Sequence, residues 1–370
     1  MSNNFDYISE YLEKILKQDD AVYLLIVDGL MSYLIRDNGR NLTDEERARI
    51  INVGISEQNA VGIASGLALR GKKPYLVMFA SFMATRAAEQ VKLDLCYNNA
   101  NVKLIGINAG FGRIAVAGYS HCTVEDIALF NALPNLKIFC PSNERCEIEK
   151  VMEWAYLNEG PAYIRLNCPF IDSTGAKYDV KMEKLSKVEN GQKTAIISTG
   201  ICLELARKLS EGIKQISGNK PLIYSAHTIR PFDEQTICEL IDQNVTIITL
   251  EEHAAGGLAS IVSMVIAKYG KPVKFLPVFS ETDQHNVVMY DLYNGWRKML
   301  DIDHFYQKYV RLIYGSKSGF ISKDVSINKK GAVEVALKIG KLTFFMKEER
   351  QKKKKGRLKY KYYLFGKRIL

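Results

Sequence analysis

Short, continuous apolar runs, each separated from the next by a helical pattern, constrain this chain most. Ala21-Val-Tyr-Leu-Leu-Ile-Val27 is the clearest of them, and Asp28-Gly29 ends it. Pro74–Met78, Val102–Ile107, Lys137–Cys140 and Ala162–Leu166 follow the same form. A strand with no polar alternation must be covered on both faces, as in a parallel sheet between helical layers. Helical spacing fills the intervals. It runs over 5–18, where Tyr7, Ile8, Tyr11, Leu12, Ile15 and Leu16 recur, and then over 84–98, from 123, and over 142–157. The order predicts an α/β fold built on a parallel sheet.

A second unit begins after the polar stretch 184–193. Thr194–Ser198, Leu222–Tyr224 and Val245–Leu250 read as strands, with helices near 201–215, 232–243 and 258–269. The sequence thus divides into 1–183, a smaller α/β domain at 184–280, an extension of helices and loops at 281–346, and a basic, aromatic tail at 347–370.

Composition narrows the class. With 370 residues, 47% of them hydrophobic, the chain can build two or three domains with their own cores. No run of about 18 apolar residues occurs, so no membrane-spanning helix is expected. The first residues, Met-Ser-Asn-Asn-Phe-Asp, lack a basic and then apolar leader pattern. Seven cysteines are scattered without a CxxC pair, which predicts a reduced, cytoplasmic protein with neither a disulfide framework nor a metal-ligand set. The net charge of +10 is local. Residues 347–370 hold eleven Lys/Arg against two Glu and so carry nine of those ten charges. A nucleic-acid-binding body would spread its charge over a folded face, so nucleic acid is not the expected partner.

Chemistry concentrates in five stretches. Asn52-Val-Gly-Ile-Ser-Glu57-Gln-Asn places a carboxylate at the mouth of a helix rich in Gly62, Ala64, Ser65, Gly66 and Ala68. Each glycine costs such a helix roughly 1 kcal/mol against alanine, so close backbone approach is expected there. Glu57 suits a capping role or a ligand contact equally well. Phe79-Ala-Ser-Phe82 follows a strand, and its rings fit a core or a binding pocket. Gly118-Tyr-Ser-His121 lies in a glycine-rich loop, where the imidazole serves proton transfer or packs the loop. Gly160-Pro-Ala-Tyr-Ile-Arg165 ends in an arginine that suits a phosphate grip or a structural ion pair. Glu251-Glu-His-Ala-Ala-Gly-Gly257 reads as a structural turn before a helix.

In this order the five stretches resemble the transketolase family of thiamine diphosphate enzymes. The resemblance covers roughly residues 20–280. It is closest to the C-terminal half of a transketolase, made in some organisms as a separate small subunit. It implies a pyrimidine-binding domain over 1–183 and a transketolase C-terminal-like domain over 184–280. Deprotonation of the thiazolium C2 of thiamine diphosphate needs the imino tautomer of its aminopyrimidine, and hence a carboxyl group at N1′. The resemblance gives that role to Glu57 and leaves the hard chemistry to the cofactor. Phe82 would stack on the aminopyrimidine, Phe79 would line the same pocket, and Asp28 would lie near the cofactor. His121 would contact substrate oxygens and assist proton transfer. Ser32 and Arg165 would hold a substrate phosphate. Asn108 stands where many relatives carry a phosphate-contacting histidine. Ala117 replaces a usual aspartate, which implies an acceptor outside the common range.

The family's Gly-Asp-Gly motif, which binds Mg²⁺ and the diphosphate, does not occur in this sequence. A partner subunit carrying it is therefore implied, in an α2β2 heterotetramer with Mg²⁺ ligands from the partner. The implied enzyme is a transferase active only with that partner. It would move a two-carbon ketol unit from a ketose phosphate to an aldehyde or keto-sugar acceptor, in sugar biosynthesis for a surface polysaccharide. The rival readings are a 2-oxoacid dehydrogenase β subunit, a deoxyxylulose-phosphate synthase relative, and a non-catalytic scaffold. Lysines interleaved with tyrosines in the tail suit an anionic membrane surface, nucleic acid, an acidic partner or a merely solvated tail; the first would place the protein in the cytoplasm, peripheral to the inner membrane face.

Overall fold

The computed structural model of the chain describes residues 4–27, 41–110, 119–167 and 173–279, and the strands of 321–327, 333–339, 342–352, 358–364 and 367–368. Twelve strands are described in the first 279 residues: β1 (Val22–Ile26), β2 (Ile50–Asn52), β3 (Lys73–Phe79), β4 (Lys103–Ala109), β5 (Lys137–Phe139), β6 (Ala162–Asn167), β7 (Ser186–Glu189), β8 (Thr194–Ser198), β9 (Leu222–Ser225), β10 (Thr228–Arg230), β11 (Thr246–Leu250) and β12 (Phe275–Val278).

They form two sheets in an α/β arrangement. The first runs β10-β5-β6-β4-β3-β1-β2 and is parallel except for β10. The second runs β12-β11-β8-β9-β7 and is parallel except for β7.

Side-chain alternation shows why the first sheet needs apolar runs. Leu25, Leu76 and Met78 point into one core with Ala60, Val61, Ala64, Met83 and Val91. Leu24, Ile26, Tyr75 and Val77 point into the other, with Ile8, Leu12, Ile15 and Leu16 of the helix Asn4–Gln18 and Ile148, Val151 and Met152 of the helix Arg145–Leu157. Each Val, Leu, Ile or Met side chain among these contributes about 1.5–3 kcal/mol on leaving water, and a polar residue on either face would forfeit it.

Two features go beyond the sequence reading. From within 184–280, β10 crosses back and pairs antiparallel with β5, Thr228 opposite Phe139 and Arg230 opposite Ile138. The helix expected over 84–98 instead divides into Ala80–Ala84, Ala88–Gln90 and a π-helical stretch Val91–Tyr97.

A separate unit spans 303–370, and within it the backbone of five strands is described. Strands β13 (Ile321–Ile327), β14 (Val333–Ile339), β15 (Leu342–Lys352), β16 (Leu358–Leu364) and β17 (Lys367–Arg368) form an antiparallel meander in chain order. This corrects the expectation of helices and loops in 281–346, and of a separate tail after 346, for the residues described. The cause is visible in Val333-Glu-Val-Ala-Leu-Lys-Ile339 and Leu358-Lys-Tyr-Lys-Tyr362, which repeat every two residues rather than every three to four. Residues 280–320 lie outside the described residues.

Candidate active site

The candidate site forms where the connections of the first sheet change direction. From β1 the chain moves outward to β2, then returns to lay β3 on the other side of β1. Open α/β sheets bind ligands beyond the carboxyl ends of strands at such a switch point. Phe79 is the last residue of β3. Glu57 opens the helix Glu57–Leu69, which follows β2.

Here the structure brings together four residues singled out in the sequence. Phe79 and Phe82 stand edge to face with ring centroids 6.0 Å apart. The His121 ring, in the short turn Tyr119–His121, lies 5.6 Å from Phe79 and 4.9 Å from Phe82. Its Nδ1 is 3.0 Å from Ser120 Oγ. Glu57 is buried at 3% exposure, and its Oε1 accepts a hydrogen bond from Arg86 Nη1 at 2.7 Å. The Arg86 guanidinium also lies over the Phe82 ring, 4.3 Å from its centroid. Arg86 therefore joins the carboxylate to the aromatic group, and sequence reasoning missed it. The signal was present: an arginine four residues after Phe82 stands one helical turn away. Glu57 is directed at this arginine, and the Ser56 hydroxyl caps no helix N–H but donates to Val53 O at 2.7 Å.

Asn108 lies near the end of β4 with a left-handed φ of 55°. It is one residue beyond Ile107, which pairs with Phe79, so it belongs to the same carboxyl edge. The ladder between β4 and β6 shifts register between Gly106 and Ala109. Left-handed backbone is uncommon outside glycine, and asparagine tolerates it best. Asp28, Ser32 and Ala117 lie outside the described residues.

The structure corrects the expectation for Arg165. It is 2% exposed, and its donors point into the protein. Nε donates to Asp126 Oδ2 at 2.8 Å, and Nη2 donates to Thr123 O at 3.3 Å and Glu252 O at 3.2 Å. Tyr163 donates its hydroxyl to the same Asp126 Oδ2 at 2.6 Å. All six residues of β6 are buried, so its side chains find partners within the fold. Arg165 is thus placed as a structural ion pair, turned away from any substrate phosphate.

Around it, the turn 251–257 satisfies helix ends. Glu251 accepts from Leu258 N at 2.6 Å and Ala259 N at 2.8 Å, at the start of the helix Leu258–Tyr269. Burial nevertheless pushes its carboxyl up to about 7. His253 Nε2 accepts from Ile127 N at 3.0 Å, which assigns the proton to Nδ1, 2.7 Å from Ala254 O. Burial pushes this imidazole down to about 4.

The donor set fits the pyrimidine end of thiamine diphosphate. It supplies one buried carboxylate for a ring nitrogen and one aromatic face for the ring, with a second aromatic ring and an imidazole alongside. Among the described residues no three His, Cys, Asp or Glu side chains stand together where an ion could be held. No helix among them is long and apolar enough to cross a membrane.

Comparison with known proteins identifies the domains of the chain. Residues 3–169 match the family described as transketolase, pyrimidine binding domain, and residues 183–286 match the transketolase C-terminal domain. The chain is 36% identical over 233 residues to a subunit of the apulose-4-phosphate transketolase of Actinobacillus succinogenes, a match covering 61% of this chain and 72% of that one. It is 27% identical to a 6-deoxy-6-sulfo-D-fructose transketolase subunit of a Clostridium species, over 69% of this chain and 76% of the relative. A solved structure described as a split gene transketolase, inactive β4 tetramer, superposes with a TM-score of 0.68 at 26% identity, covering 84% of this chain and 98% of that one. With a buried carboxylate at the switch point, aromatic rings beside it and these relatives, the chain belongs to the transketolase family.

Proposed function

We propose that this chain is the pyrimidine-binding subunit of a two-component, thiamine diphosphate-dependent transketolase. It transfers a two-carbon ketol unit from a ketose phosphate to an aldehyde or keto-sugar acceptor. The observation that carries the reading is Glu57, a carboxylate 3% exposed at the switch point, facing Phe82 through a single guanidinium. Bound thiamine diphosphate supplies the nucleophilic carbon that such a transfer requires. Glu57 holds a proton at N1′ of the aminopyrimidine. Phe82 supports the ring face, in a contact worth about 0.5–1.5 kcal/mol beyond its buried area, and Phe79 closes the same wall. His121, packed on both rings, orients a substrate hydroxyl or carbonyl and moves its proton.

A partner subunit supplies the diphosphate and Mg²⁺ site, in an α2β2 assembly. Support comes from the names of the relatives, one of them a transketolase subunit and another a split gene transketolase. Asp28 near the cofactor, Ser32 at the donor phosphate and Ala117 at the acceptor remain assignments by resemblance. So does the biosynthetic role in surface-polysaccharide sugars.

The test is Glu57→Gln in the full chain, assayed with its partner. Ketol transfer should fall by about 10²–10⁴-fold while the fold is kept. Full activity in that variant would refute the reading.

A further inference from the structure

The guanidinium of Arg86 makes two described contacts, and both fall on groups assigned to the cofactor. Its Nη1 holds Glu57 Oε1 at 2.7 Å, and its guanidinium carbon lies 4.3 Å from the centre of the Phe82 ring. A guanidinium is flat and delocalised. It donates along its edge to a carboxylate while stacking on an aromatic face. A protonated aminopyrimidine presents the same two surfaces, an N–H edge and a flat ring. We propose that Arg86 is a built-in stand-in for the aminopyrimidine, which fills the cofactor's seat in the chain alone and must swing out before the cofactor can enter. This rests on the reading of Glu57 as the N1′ contact.

Two observations bear on it. Glu57 is almost fully enclosed, so it needs a cation or a proton donor whenever the ring is absent. The side chain of Arg86 is 47% exposed and sits just past the helix Ala80–Ala84, so a change of rotamer carries the guanidinium into water without disturbing the core. Its hold is therefore modest, strong enough to neutralise the carboxylate and weak enough to be displaced.

A residue of this kind affects stability and ligand binding in opposite directions, whereas a purely structural arginine affects both the same way. The test uses the full chain, with thiamine diphosphate plus Mg²⁺ as the probe, followed by calorimetry and by ligand-observed magnetic resonance into the millimolar range. Arg86→Met should bind the probe about tenfold more tightly than the unsubstituted chain while its Tm falls. Equal, weaker or undetectable binding by a folded Arg86→Met chain overturns the proposal. If that chain does not fold, Arg86→Lys carries the test: it keeps a charge for Glu57 but loses the flat stack. It should also bind more tightly than the parent, and equal or weaker binding overturns the proposal. Glu57→Gln, alone and combined with Arg86→Met, separates the two readings. If neither combination weakens binding, the assignment of Glu57 fails, whatever Arg86 does.

Discussion

Glu57 and Arg165 are both enclosed charges paired with one opposite charge, yet their surroundings give them different duties. The partner of Glu57 is half exposed and can leave. Arg165 is held by Asp126 and by two backbone carbonyls, and its aspartate is fully buried as well. Arg165→Met should therefore destabilise the fold by about 3–5 kcal/mol in urea unfolding, because Asp126 loses its cation in the interior. That Glu57, Phe79, Phe82 and His121 lie near one another was legible in the sequence to the extent that Glu57 opens a helix after a strand and Phe79 ends the next strand, one short turn before Phe82. Arg165 was misread because a strand pattern gives burial but not the partner a long side chain will reach. His253 yields a pH prediction. Its folded-state pKa lies near 4, below the ordinary imidazole value of about 6.5, so the unfolded chain binds more protons between those values. Its contribution is present above pH about 6.5 and is lost as pH falls toward 4, with a slope of up to about 1.4 kcal/mol per unit. His253→Gln should flatten that part of the stability profile, as measured by urea midpoints.

At the scale of elements, the glycine-rich helix is the informative case. The sequence predicted close approach along Glu57–Leu69. Ala60, Val61 and Ala64 do pack inward, but no described atom lies within 4 Å of a Cβ built at Gly62 or Gly66. The described chain makes no use of those two glycines. Gly62→Ala should accordingly stabilise the isolated chain by about 0.5–1 kcal/mol, seen as a rise in Tm. Most strands were legible from their uninterrupted apolar runs. The π-helical stretch was not, since Val91, Leu95 and Cys96 satisfy an ordinary helical pattern equally well. The meander after residue 320 was hidden by its charge: Lys347 to Lys355 reads as a solvated run, although β15 continues to Lys352.

For the whole molecule, charge and topology act separately. Nine of ten net charges lie in residues 347–370, outside the part that holds the candidate site. Binding of the full chain to vesicles rich in anionic lipid should therefore fall with salt. Replacing Lys352, Lys353, Lys354 and Lys355 by serine should weaken it by about 1 kcal/mol per charge, as read by co-sedimentation. Equal recovery with neutral vesicles would remove the membrane role. Topology joins what the family domains divide. Residues 3–169 and 183–286 match separate domains, yet β10 from the second completes the sheet of the first. Cys140 N donates to His227 O, and Gly200 N donates to Cys140 O, adding ties across the same seam. A protease cut within 173–183 would then leave two fragments that stay zipped along β5 and co-migrate. The first fragment prepared by itself would carry β5 as a bare edge, a template for the wrong neighbour.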